Sequence, residues 1–195
     1  MAINEGVQGG LDWYGRQLER EDYSGIHFVD CDFTELRSEG TIFSGCVFRN
    51  VKFNVSAHAN SAFDNCRFEN CNLFDAAFEG CKVTGSTFIR SSLKPIRVQG
   101  GNWSFVSLQN ADLQGGAFSE VNLTEADLTG ADLRRVRLRD CRLSSVVWNG
   151  SRLRDADLRG SALDGIDAEN FNVYGAVIDA GQALSVAEAY GAVIR

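Results

Sequence analysis

The chain has 195 residues, a formal net charge of -7, 44% hydrophobic and 23% charged residues, which is the composition of a folded domain and not of a disordered tail. No apolar run approaches the roughly 18 residues needed to span a bilayer, and no basic segment leads into an apolar stretch at the N-terminus. Membrane and secreted classes are therefore excluded at this level, and the net acidity argues against a protein that works by neutralising nucleic-acid phosphates. A single proline and thirteen phenylalanines point instead to regular, repetitive structure.

Residues 1–15 show no clear repeat and are expected to form an N-terminal cap or lead-in. From Leu18 the sequence becomes periodic. Every fifth residue is large and apolar, through Tyr23, Phe28, Phe33, Phe43, Phe48 and Phe53 to Leu153, Leu158, Leu163 and Ile178, with only Ser38, His58 and Ala168 departing from the rule. Two residues before these positions the side chain is small in 26 of the 33 pentads, as at Ala111, Ala126, Ala131 and Ala156. Two residues after, Gly or Asn is common, as at Gly45, Asn70, Gly80, Gly130 and Gly160. One large and one small side chain thus point inward, and a residue tolerant of left-handed geometry makes a corner. A period of five fits neither a helix nor a flat strand. It fits a solenoid in which each pentad is one side of a coil.

The segments "ADLQG", "ADLTG", "ADLRR" and "ADLRG" match the A(D/N)LXX signature, and over 16–180 the chain resembles the pentapeptide-repeat family. That resemblance implies an all-β solenoid, a right-handed quadrilateral β-helix with four pentads per coil. About eight coils are expected, roughly 38 Å long at ~4.8 Å per coil. A side of five residues is at most roughly 16 Å of backbone, so with side chains the rod approaches the girth of a nucleic-acid duplex.

Cys31, Cys46, Cys66, Cys71, Cys81 and Cys141 all fall at the small inward position, at separations that are multiples of five. They are read as small core residues and not as a metal or disulfide set, and free buried thiols suit a reducing cytoplasm. Pro95 stands at a corner. After Ile178, Asp179 and Gln182 form a capping-box pattern and Gly191 a stop signal, which predicts a helix within 181–195. Ala183, Val186, Ala187 and Tyr190 lie on one face of that helix with Leu184 beside them. The helix either only plugs the last coil or also makes a two-fold dimer contact. The second reading is favoured, since a lone plug leaves apolar surface over.

Catalysis has little to work with. His27 and His58 are the only histidines, and His58 occupies a core position. P-loop, HExxH and GxSxG motifs are absent, and the recurrent Asp112, Asp127, Asp132 and Asp157 obey the repeat's own spacing. No enzyme activity, catalytic residue, cofactor or metal is expected.

Folding the sequence at 20 residues per coil assigns each charge to one of four faces. Those centred on Leu18 and on Phe33 are balanced. The adjacent pair centred on Tyr23 and Phe28 is acidic, with Asp22, Asp30, Asp64, Glu69, Glu125, Asp127, Asp164, Asp167 and Glu169 outnumbering the bases. An acidic strip along a rod of duplex-like width would attract a protein surface built to hold DNA. The continuous register and the ending "AVIDAGQALSVAEAYG" are most similar to the fluoroquinolone-resistance branch of the family. The resemblance implies a mimic of duplex DNA that binds DNA gyrase, through GyrA or GyrB, modulates its supercoiling, protects it from gyrase poisons, and pairs head-on through its C-terminal end. The alternative is a repeat scaffold for another protein partner, because a fold does not fix a function.

Overall fold

The computed structural model describes residues 6–195. Twelve short strands follow one another: β1 (Val7–Gly9), β2 (Gln17–Glu19), β3 (His27–Val29), β4 (Arg37–Glu39), β5 (Val47–Arg49), β6 (Ala57–Ala59), β7 (Arg67–Glu69), β8 (Ala76–Glu79), β9 (Thr87–Ile89), β10 (Ile96–Gln99), β11 (Ala117–Ser119) and β12 (Arg137–Arg139), before one helix, α1 (Ala180–Ala189). All pairing is parallel, and partners sit twenty residues apart: Phe28 beside Phe48, Phe48 beside Phe68. One wall stacks β1-β3-β5-β7-β9 and another β2-β4-β6-β8-β10-β11-β12. Two further walls are runs of isolated parallel bridges, one from Asp22 to Ala162 and the other from Asp12 to Ser92 and again from Asp112 to Arg152. The result is a four-walled parallel β-solenoid whose longest wall is seven strands deep, extended by bridges at Asp157 and Val177.

The pentad rules acquire physical causes. The large residues from Trp13 to Leu163 fill the interior, Phe28, Phe33, Phe43 and Phe48 with no exposed surface. The corner residue sits at every multiple of five from 10 to 175 with a positive φ, glycine or not, except at Pro95 and Asn170. Gly is common there because that region penalises a Cβ by roughly 1–2 kcal/mol, and Asn because its short polar side chain can hydrogen-bond locally. Val55 (φ 58°) and Phe105 (φ 59°) occupy it against their preference. The Asp or Asn before the large residue accepts from the N–H two residues on, as Asp32 does from Thr34 (3.0 Å) and Asn122 from Thr124 (3.1 Å). That Asx turn fixes the corner, which explains the Asp series without chemistry.

The small inward position carries a second task. Cys46 and Cys66 donate their thiols to the carbonyls of Tyr23 (3.0 Å) and Phe43 (2.8 Å) in the preceding coil. Ser161 does the same to Leu138 (2.7 Å). All six cysteines are buried and free, and burial pushes the Cys71 thiol up to about 12 and those of Cys81 and Cys141 to about 11.

The structure departs from the sequence reading at both ends. The lead-in assigned to residues 1–15 already has the coil's geometry from Val7. β1 pairs with β3, and Trp13 is buried against Phe33 with rings stacked at 4.7 Å. The pattern fades there because Gln8 replaces a large apolar residue; residues 1–5 lie outside the described chain. Near the other end Ala168 is too small for its core position. The chain turns over Asp167–Asn170, where Asn170 and Phe171 N–H groups reach the Asp167 carbonyl at 3.0 Å, and Phe171 enters the core against Trp148. At Pro95 the corner is made with a cis Lys94–Pro95 peptide.

α1 starts with the expected capping box: Asp179 accepts from Gln182 N–H and Gln182 accepts from Asp179 N–H, both at 3.0 Å. Buried Gln182 also donates to the Ser161 carbonyl (2.7 Å) in the coil above, and Val186 packs on the core. The helix ends at Ala189, short of the 181–195 span, with Gly191 at φ 86° beyond it.

Candidate functional site

The interior offers one polar cluster, where two of the three departures from the repeat meet. His58 Nδ1 lies 2.8 Å from Ser38 Oγ and its Nε2 3.0 Å from Ser56 Oγ, while Ser38 also contacts Ser61 at 3.0 Å. The imidazole is buried, and burial alone pushes its pKa down to about 3. It is therefore neutral at pH 7. The wall carrying β2 to β11 bounds a groove of about 580 Å³ whose lining includes Ala57, Ala59 and Ala77. With both ring nitrogens partnered by hydroxyls, His58 serves the core: Phe63 and Phe78 pack on its ring at 4.9 Å. Among the described residues no three His, Cys, Asp or Glu gather as metal ligands, and no helix is long and apolar enough to cross a membrane.

The outer faces hold the remaining chemistry. The wall through Tyr23 and the wall through Phe28 carry all nine predicted acidic residues, and the structure sorts them by how much charge each presents. Asp22, Asp30, Glu125, Asp164, Asp167 and Glu169 are exposed, and no cation neutralises them among the described residues. Asp22 accepts from Ser24 N–H (2.9 Å) and Oγ (2.6 Å), which hold its carboxyl below the usual range. Asp30 accepts from Asn50 (2.8 Å), Asp164 from Ser144 (3.4 Å) and Asp167 from Asn170 (2.6 Å). Their partners are neutral, so the negative charge survives.

Asp64, Asp127 and Glu69 differ. Asp64 is half-buried and pairs with Lys82 at 3.3 Å. Asp127 is half-buried and accepts from Thr129 N–H (2.9 Å) and the Gln109 amide. Glu69 is buried between Arg49 (2.9 Å) and Arg67, and these hydrogen bonds lower its pKa. It is a neutralised wall residue, not a free charge. Its cause was readable: Arg49 and Glu69 are ladder neighbours one coil apart.

At the C-terminal end, Ala183, Leu184 and Tyr190 of the predicted contact face are exposed, Leu184 by 52% and Tyr190 by 60%, while Val186 and Ala187 are half-buried. The Tyr190 hydroxyl donates to the Phe171 carbonyl at 2.9 Å. Val177, Val193 and Ile194 add exposed apolar surface nearby in sequence.

Comparison with known proteins agrees with this geometry. The structure matches that of QnrB1, a plasmid-mediated fluoroquinolone resistance protein, in a trypsin-treated form: TM-score 0.73, 18% identity, 98% of this chain and all of that chain covered. Full-length QnrB1 matches at TM-score 0.56 and 19% identity over 95% of this chain and all of that one. At such identities the likeness establishes the fold. No curated protein matches in sequence. Family models do: one for a pentapeptide repeat region over residues 71–148, and one for pentapeptide repeats over 137–172. With the twenty-residue coil, the positive-φ corners and the Asx turns, these matches show that the chain belongs to the pentapeptide-repeat family.

Proposed function

We propose that this chain is a DNA mimic that binds DNA gyrase, modulates its supercoiling and protects it from fluoroquinolones, and that it does so as a non-enzymatic binding rod. The observation that carries the reading is the line of un-neutralised carboxylates on two adjacent walls, with Asp22 and Asp30 near one end and Glu125, Asp164, Asp167 and Glu169 towards the other. A protein groove that binds duplex DNA presents fixed positive charge. A rigid negative ridge meets it without the ordering cost of a flexible acidic tail. The similarity to QnrB1, named as a fluoroquinolone resistance protein, supports the same reading.

The apolar residue set around Leu184 and Tyr190 is assigned to a two-fold contact that joins two rods end to end, which would double the length of the mimic. Sedimentation of the wild type against Leu184→Asp tests that part. The central test is supercoiling by purified gyrase titrated with the protein, with and without a fluoroquinolone. Reduced supercoiling or reduced drug-stabilised cleavage is expected. Reversal of Asp22, Asp30, Glu125 and Asp164 to lysine should abolish the effect while the rod stays folded. An unaltered effect in that variant removes the acidic walls from the contact, and no effect of the wild type removes gyrase.

A further inference from the structure

The walls through Leu18 and Phe33 balance only in total. Up to Glu120 they are acidic in excess, but between residues 131 and 160 they carry seven arginines against Asp132, Asp140, Asp155 and Asp157. Arg134, Arg135, Arg137 and Arg154 flank the edge where the two walls meet, diagonally across the four-walled coil from the edge shared by the acidic pair.

The pairing within this patch is lopsided. Asp132, 4% exposed, is gripped by Arg134 (2.7 and 2.9 Å) and by Arg152 (2.9 Å). Asp157 is shared by Arg139 (2.7 Å) and Arg159 (2.9 Å). Each of these two carboxylates thus cancels half of the charge of the arginines that grip it, while Asp140 and Asp155 are exposed and take part in no ion pair among the described residues. Arg135, Arg137 and Arg154 are exposed and take part in no ion pair among the described residues. Asp157 is the ladder neighbour of Arg137, but its oxygens are already occupied. All the cations are arginines, whose planar fork matches phosphate oxygens in pairs. They project from a rigid wall with coils ~4.8 Å apart.

We propose that this arginine edge holds the phosphate backbone of a DNA duplex, on the side of the rod turned away from the acidic walls. Net charge of -7 opposes DNA binding along the whole rod and confines it to this edge. The proposal goes beyond the gyrase reading and does not need it, because the DNA contact is made by the protein alone. Since the two edges face apart, a rod seated by its acidic walls leaves the arginines open.

The test is fluorescence anisotropy of a labelled 30-base-pair duplex with the purified protein and no gyrase. Three phosphates neutralised by Arg135, Arg137 and Arg154 give a log–log salt slope of about -2.7, so affinity should fall about 40-fold between 50 and 200 mM salt. R135E/R137E/R154E should lose binding while keeping the circular dichroism and unfolding cooperativity of the wild type. R135Q/R137Q/R154Q, which only removes charge, should weaken binding and flatten the slope. The lysine variant of the acidic walls should still bind through the arginine edge. Absence of wild-type binding at 50 mM salt, or equal binding by the folded triple glutamate variant, overturns the proposal. If the wild type ignores DNA and the triple variant loses gyrase, the edge docks an acidic protein surface and the proposal also falls.

Discussion

From Trp13 to Trp103 the rod is filled mainly by rings, whereas from Leu108 to Leu163 it is filled mainly by leucine. On one wall Phe28, Phe48, Phe68 and Phe88 stack at 5.3, 4.8 and 4.5 Å, nearly parallel, and Tyr23, Phe43 and Phe63 stack on the next at 5.5 and 4.8 Å. In the second half Trp148 against Phe171 is the ring contact that remains, beyond the Trp103–Phe118 junction. The backbone changes with the filling on the Phe28 wall. Its three-residue strands end at β9, and from Leu108 onward isolated bridges alternate with closed turns, in which Ala111 N–H reaches Leu108 O at 3.1 Å and Ala131 N–H reaches Leu128 O at 2.9 Å. Both halves keep the twenty-residue ladder. Coil length therefore sets the hydrogen bonding, and the interior accepts either filling so long as its volume is met.

The largest expected effect tests whether rings add more than volume. Phe48→Ala should cost about 4 kcal/mol and Leu128→Ala about 3 kcal/mol in urea denaturation, both sites being fully enclosed. Equal losses would show that the stacked ladder contributes nothing beyond its bulk. The next concerns the polar island in the ring-filled half. His58 has a folded pKa of about 3 against roughly 6.5 unfolded. The unfolded chain therefore binds the extra proton between those values, and stability present above pH 6.5 is lost as pH falls towards 3. By pH 5 the loss should be about 2 kcal/mol. His58→Phe should remove that slope, leaving the carboxylate-driven loss at lower pH. A wild type whose stability is flat from pH 7 to 5 would contradict a neutral buried imidazole.

Smaller effects separate corner from core. Val55→Gly should stabilise by about 1 kcal/mol, because a β-branched residue at φ 58° is strained and its side chain is half exposed. A lower melting temperature would show that Val55 contacts outweigh the backbone term. Asp179→Ala should cost about 1 kcal/mol, since the carboxylate caps α1 and also accepts from Gly160 N–H at 2.9 Å. A loss confined to helix signals, with the leucine-filled coils unaffected, would show that the cap and the last coils melt separately.

The core and the helix start were legible because each rests on a local rule: a large residue every five, or Asp179 three residues before Gln182. The neutralisation of Glu69 by Arg49 was legible only after folding the chain at twenty, since the partners are distant in sequence and adjacent in the ladder. The start of the coil was hidden because Gln8 at the large position and Leu11 at the small one mask the register that Trp13 continues. Phe171 was missed because a turn over Asp167–Asn170 moves the core position by three residues. Face-by-face charge sums found the acidic walls and concealed the arginine edge, because opposite gradients cancel when a wall is counted end to end.

The constant twenty-residue coil also gives the molecule a phase. Removing a whole coil shortens the rod by ~4.8 Å and leaves each remaining side facing as before. Removing one pentad turns everything downstream by a quarter revolution. Glu125 and Asp164 would then leave the wall that holds Asp22, while Asp167 and Glu169 would move onto it, so the two ends of the rod would no longer present their acids on the same pair of sides. Length is thus free to vary in steps of twenty, while any other step rewrites what the surface presents.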